Sequence, residues 1–116
     1  MEELMKEIAA WHEQTFDTDA EAQFKKLHEE LNEASNANDM DEWYKEVADV
    51  IFVLAALQYR FNEPVGRAML TVVLGMIPKI AIPKILTELI KKFEKNKKRI
   101  WVKQPDGTYH HAPNTD

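Results

Sequence analysis

Along the chain, apolar residues recur at helical spacing in five stretches, a pattern that predicts an all-α fold. Over residues 2–16, Leu4, Ile8 and Trp11 stand three or four apart, and Met5 and Phe16 widen the stripe. Asp17-Thr18-Asp19 breaks the pattern and offers an N-cap, because such side chains accept hydrogen bonds from the free N–H groups of a first turn. A second helix is predicted over 20–36, with Phe24, Leu27, Leu31 and Ala34 inward and glutamates on its flank and far side. The stretch from Asn36 to Asp39 closes it and leads into a third helix over 41–61, which starts near Asp39 or Asp41. From Val47 to Leu57 this third helix reads VADVIFVLAAL, apolar on every side except at Asp49. A helix apolar all round is enclosed by others.

Pro64 suits the first turn of a fourth helix over 65–76, with Ala68, Leu70, Val72, Val73 and Ile77 as its apolar set. Pro78 and Pro83 then interrupt the chain, so 77–83 reads as a kink or connection of no assignable shape. A last helix over 84–98 turns Ile85, Leu86, Leu89, Ile90 and Phe93 inward and a row of lysines outward. Beyond it, Pro105-Asp106-Gly107 supplies the turn of a short hairpin, after which the final residues are expected to fray. The expectation is a compact bundle of four to five helices with a short hairpin-like tail, forming one domain over 1–116.

The acids on the second and third helices change this picture. Glu29, Glu30 and Glu33 crowd one side of the second helix, and Glu46 and Asp49 share a face of the third, because residues three or four apart are neighbours. Two helices joined by a short polar loop pack antiparallel, which brings as many as five carboxylates together. A solvated face accounts for Glu2, Glu3, Glu7 and Glu13, but not for Asp49 within an apolar helix. A buried, unpaired carboxylate costs several kcal/mol, so it must be protonated, paired with a cation or bound to metal. Cysteine is absent, which excludes thiolate sites and disulfides. Carboxylates without thiolates favour a hard cation, magnesium or manganese. A di-iron bundle needs Glu-x-x-His pairs, and no histidine stands three residues after a glutamate. None of His12, His28, His110 and His111 has ligand spacing.

The net charge of −5 conceals an asymmetry: residues 1–63 carry 16 acids and 5 bases, whereas 64–116 carry 4 acids and 10 bases. An acidic front and a basic end suggest a cation held by one and an anion by the other, or simply mutual attraction. Lys92, Asn96 and Arg99 lie at one-turn spacing and are candidates for holding phosphate beside a metal. No Gly-rich phosphate loop and no serine or cysteine nucleophile setting is present, so attack by water is preferred to a covalent intermediate. No signal peptide opens the chain and no apolar run reaches the roughly 20 residues of a membrane span, so a cytoplasmic protein with no membrane partner is expected.

At these residues the sequence resembles the all-α nucleotide pyrophosphohydrolases of the MazG-like superfamily, whose motif is EExxE followed a dozen or more residues later by ExxD. Here it reads Glu29-Glu30-x-x-Glu33, twelve intervening residues, then Glu46-x-x-Asp49. The similarity extends to Trp11-His12-x-x-x-Phe16, to Gln23-Phe24-x-Lys26-Leu27, and to Lys92-x-x-x-Asn96-x-x-Arg99-x-Trp101 followed by Asp106-Gly107 and His110. This close looks like that of small, often phage-encoded members acting on purine deoxynucleotides. Residues 67–83 depart from it, being longer and more apolar than the usual connection.

The resemblance implies magnesium-dependent hydrolysis of a nucleoside triphosphate between the α and β phosphorus, to monophosphate and pyrophosphate. It implies Glu30, Glu33, Glu46 and Asp49 as metal ligands, and Glu29 as a further ligand or the residue that orients the attacking water. Lys26, Lys92, Asn96 and Arg99 would hold phosphates, and Trp11 or Phe16 would stack on the base. Members work as homodimers or homotetramers sharing helices between subunits. An enclosed third helix in so small a chain is consistent with that, and residues 84–101 of a neighbour could complete the site. Two rivals stand beside this reading: another pyrophosphate substrate such as phosphoribosyl-ATP, and a non-catalytic helical interaction module. In the module, the basic final helix, with Trp101 and Tyr109, would bind a partner or a nucleic-acid strand. The negative total argues against an extended nucleic-acid footprint.

Overall fold

In the computed structural model, which describes residues 1–112, the helices are α1 (Glu2–Thr15), α2 (Ala20–Ser35), α3 (Met40–Tyr59), α4 (Pro64–Met76) and α5 (Ile82–Lys98). An antiparallel pair of strands, β1 (Trp101–Lys103) and β2 (Tyr109–His111), follows, with Val102 opposite His110. The expected fraying of the final residues concerns 113–116, outside the described residues. The fold is all-α, and its radius of gyration, 13.4 Å, is that of a compact chain of this length.

Helix starts follow the caps read in the sequence. Asp19 Oδ1 accepts from Ala22 N at 2.8 Å, and Asp39 Oδ1 accepts from Glu42 N at 2.8 Å. Glu42 Oε2 in turn accepts from Asn38 N at 3.0 Å, so the connection between α2 and α3 is tied at both sides. This short, capped link folds α2 back on α3 as an antiparallel hairpin.

Helix α3 is the axis of the molecule, packed against α1, α2, α4 and α5. Ile51, Leu54 and Leu57 are fully enclosed, each such burial being worth about 1.5–3 kcal/mol. One chain therefore covers α3 on every side, and its all-round apolarity is satisfied without a second subunit. Gly66 of α4 lies so close to α3 that a Cβ there would stand 2.7 Å from Leu57 Cβ.

Of the apolar set on α4, Leu70 and Ile77 are buried, whereas Ala68 and Val72 are exposed, because among the described residues only α3 offers this helix an extensive packing surface. One expectation for the second half is corrected. On α5, Ile85, Leu89 and Phe93 face the core, but Ile90 is turned to the outside. The unassigned stretch after α4 contains a 3₁₀ turn at Lys79–Ala81, and the chain bends there by 101°. Helix α5 starts two residues earlier than expected, because Pro83 falls in its first turn, where no N–H is needed. No single helix among the described residues is long and apolar enough to cross a membrane.

The tail is pinned rather than loose. Gly107, at φ +87°, allows the turn; its carbonyl accepts from Thr18 Oγ1 at 3.0 Å, and Tyr109 Oη accepts from Asp17 N at 3.2 Å. The hairpin is thus held against the connection between α1 and α2, where it walls one side of a cavity.

Candidate metal and phosphate site

The α2–α3 hairpin places Glu30 and Glu33 against Asp49 and Glu46. One oxygen from each of these four carboxyls lies within 4.8 Å of the others. An octahedral magnesium with bonds of about 2.1 Å needs opposite ligands about 4.2 Å apart, so the spacing suits a single hard cation. Glu30 is buried, Glu46 and Asp49 are half-buried, and Glu33 is exposed.

The electrostatics are those of an under-neutralised cluster. Burial pushes the Glu30 carboxyl up to about 7, and the charge on Asp49 adds to this while Lys26 opposes it. Burial, followed by the charges of Asp49 and Glu33, likewise raises Glu46 to about 7, and a side-chain hydrogen bond joins Glu46 to Glu33. Asp49 is also raised by burial, against the pull of Lys92. Two cations reach the group: Lys26 Nζ is 3.4 Å from Glu30 Oε1 and 3.6 Å from Glu29 Oε2, and Lys92 Nζ is 3.0 Å from Asp49 Oδ1. Even so, Glu30 Oε2 and Glu46 Oε2 are buried without a hydrogen-bond partner. A buried acceptor left unpaired costs about 1–3 kcal/mol. All-oxygen donors, excess negative charge and orphaned acceptors together fit a hard divalent cation held by Glu30, Glu33, Glu46 and Asp49.

Glu30, Glu33 and Asp49 open into a cavity of about 370 Å³, which the hairpin tail and α5 close from the other side. Glu29, Lys26, Lys92, Asn96 and Arg99 line it together with Phe16. Lys92 belongs to the same chain as Asp49, so α5 of this chain reaches the acids. Asn96 is buried; its Oδ1 accepts from Arg99 Nη1 at 2.8 Å and its carbonyl accepts from Trp101 Nε1 at 3.1 Å. It thereby sets the position of the Arg99 guanidinium.

Trp11 is not among the cavity residues. Its ring meets those of Phe16, Phe52 and Phe93 edge-on at 5.2–5.9 Å, as part of the core. The cavity also gathers residues that the sequence did not single out as a site: Gln23, His12 and Phe52. Gln23 was legible by spacing, since it precedes Lys26 by three residues and Glu30 by seven on the same face of α2.

Compared with protein-family models, curated proteins and solved structures, the chain shows no match. What it does must therefore be argued from its own residues.

Proposed function

We propose that the chain is a magnesium-dependent nucleoside triphosphate pyrophosphohydrolase of the MazG-like kind, cleaving between the α and β phosphorus with water. The observation that carries this reading is one cavity lined by Glu30, Glu33 and Asp49 of the four-carboxylate cluster beside three cationic side chains, Lys26, Lys92 and Arg99. Carboxylates alone would repel a polyphosphate, and cations alone would bind it without activating anything.

Glu30, Glu33, Glu46 and Asp49 would hold magnesium, or manganese, which draws charge from the phosphate oxygens when bound. Lys92 and Arg99 would bind the phosphate chain, with Asn96 keeping Arg99 in place, and Lys26 would reach it from α2. Glu29, which lines the cavity outside the four-acid group, would orient a water and accept its proton, or add a further ligand. Phe16, Trp101 and Tyr109 offer the nucleoside an aromatic end away from the acids.

The test is an assay of purified protein with each common ribo- and deoxynucleoside triphosphate plus magnesium, measuring pyrophosphate and orthophosphate separately. Pyrophosphate release that disappears in Glu33→Gln and Asp49→Asn is expected. Orthophosphate as the main product would overturn the assigned bond, and turnover of no nucleotide would overturn the reading.

A further inference from the structure

Lys92 reaches the cavity from α5 and already has a partner there. Its Nζ stands 3.0 Å from Asp49 Oδ1 on α3, and the two side chains are 29% and 17% exposed. Attraction between half-buried charges is screened less than on an open surface. The charge of Lys92 also opposes the upward shifts of Glu30 and Glu46, so it serves the whole acidic group as a counter-ion. Lys26 is placed differently. It shares α2 with Glu30 and meets Oε1 of that residue at 3.4 Å, while Oε2 is the oxygen left without a partner. Glu30 therefore has one oxygen to offer a cation while Lys26 keeps the other.

The contact at Asp49 is less compatible with a metal. A divalent ion bonded to that carboxylate at about 2.1 Å would set two cations against one small anion. Like charges repel strongly where water is scarce. Lysine has the means to leave, because it carries a compact charge on a flexible four-carbon stem. Arg99 does not. Its Nη1 donates to Oδ1 of buried Asn96 at 2.8 Å, which holds a rigid planar fork in place. Along the α5 side, the cavity is thus lined by one movable cation, Lys92, and one fixed cation, Arg99.

We propose that Lys92 is an exchangeable counter-ion: it neutralises Asp49 in the metal-free protein and is released to bind phosphate when a divalent cation takes that carboxylate. The inference rests on the hydrolase reading and deepens it, by making the capture of a polyphosphate depend on metal occupancy. Without metal, Lys92 is engaged with Asp49 and adds nothing to phosphate binding. With metal bound, the same ammonium is free to pair with a phosphate oxygen. The coupling is reciprocal, since a phosphate that draws Lys92 away from Asp49 also removes a competitor of the metal.

The experiment compares wild type with Lys92→Met, which keeps most of the stem and removes the charge, and with Lys92→Gln as a second variant. Melting curves establish that each folds. Manganese binding is read from the electron paramagnetic resonance signal of the free ion. Binding of inorganic pyrophosphate is measured by calorimetry, once in chelator and once in saturating magnesium. Both variants should bind manganese more tightly than wild type, on the order of 10-fold. In magnesium they should bind pyrophosphate more weakly, again on the order of 10-fold, but in chelator they should match wild type. A lysine fixed between Asp49 and the phosphate would weaken pyrophosphate equally in both conditions, and that result overturns the proposal. Unchanged manganese affinity in the folded variants overturns it too, since Lys92 would then hold nothing that a metal has to replace. Neither measurement needs turnover. The expected binding with hydrolysis of no nucleotide would overturn the hydrolase reading alone, and hydrolysis without the contrast between chelator and magnesium would remove the exchange alone.

Discussion

Glu30, a charged group, is drawn inside, whereas Met76 and Ile80, which are apolar, stand 76% and 90% exposed. Both depart from the ordinary partition of residues, but at very different cost. Leaving an isoleucine in water forgoes only its transfer energy, about 25 cal/mol per Å², and single exposed apolar residues are common. Clustering carboxylates where burial raises their pKa to about 7 opposes folding directly, and two of the oxygens lack any donor. The difference teaches where function is to be sought. Exposed α4 is tolerated as it stands, whereas the acidic end is stable only in spite of itself, which makes the cluster an argument for a ligand.

Glu46→Gln should break the acidic end most visibly, and in two directions at once. Pyrophosphate release should fall by roughly two to three orders of magnitude, the scale on which loss of one group stabilising reacting charge is felt. The metal-free protein, freed of one carboxylate that burial and its neighbours disfavour, should melt higher than wild type at pH 8. Added magnesium should then raise its melting temperature less than that of wild type. An equal rise in both proteins would remove Glu46 from the metal site.

The pH dependence follows from the same groups. Glu30 and Glu46 titrate near 7 in the folded chain, above the 4.5 of an unperturbed glutamate. Between these values the folded state holds protons that the unfolded state has released, so stability falls as pH rises. Their contribution is fully present below about 4.5 and gone once pH has passed through about 7. Urea unfolding in a chelator should show a loss on the order of 2–3 kcal/mol between pH 5.5 and 8. Saturating magnesium should flatten that slope by favouring the ionised carboxylates. A chelated protein equally stable at both pH values would contradict the strained cluster.

Gly66→Ala sharpens the other side of the contrast. Helix α4 tolerates exposed residues on its outer face, but its contact with α3 admits no methyl group, since the added Cβ would meet Leu57 at 2.7 Å. Overpacking of this kind typically costs about 1–3 kcal/mol, which urea denaturation resolves readily. Hydrolysis measured well below the melting temperature should be unaffected, because α4 contributes nothing to the cavity lining.

Most of the fold was legible because its causes are local. Asp19 and Asp39 cap the helices they precede in sequence, and EExxE with ExxD across a short connection can meet only in an antiparallel hairpin. What was not legible depends on distant packing. Apolar spacing shows that Trp11 points inward but not whether inward means core or cavity; Phe52 and Phe93 decide that. Gln23 is neutral, so neither charge nor composition draws attention to it. Which of the apolar residues of α4 are buried was not legible, because sequence cannot say how many neighbours a helix has.

The smallest expected effect comes from the most exposed apolar residue. Ile80 lies in the 3₁₀ turn between α4 and α5, outside both the core cluster and the cavity lining. If its exposure is as inexpensive as the comparison with Glu30 implies, Ile80→Lys should change the unfolding free energy of a single chain by no more than about 0.5 kcal/mol. Hydrolysis should likewise be unchanged, because Lys92 and the four acids come from one chain. The resemblance that suggests dimers or tetramers makes the variant informative in a second way. Sedimentation of wild type and Ile80→Lys side by side asks whether this end of α4 is an interface, since a buried lysine at its centre would dissociate one. A lighter species with full activity would separate assembly from catalysis, and a lighter species without activity would return a role in the site to the neighbouring subunit.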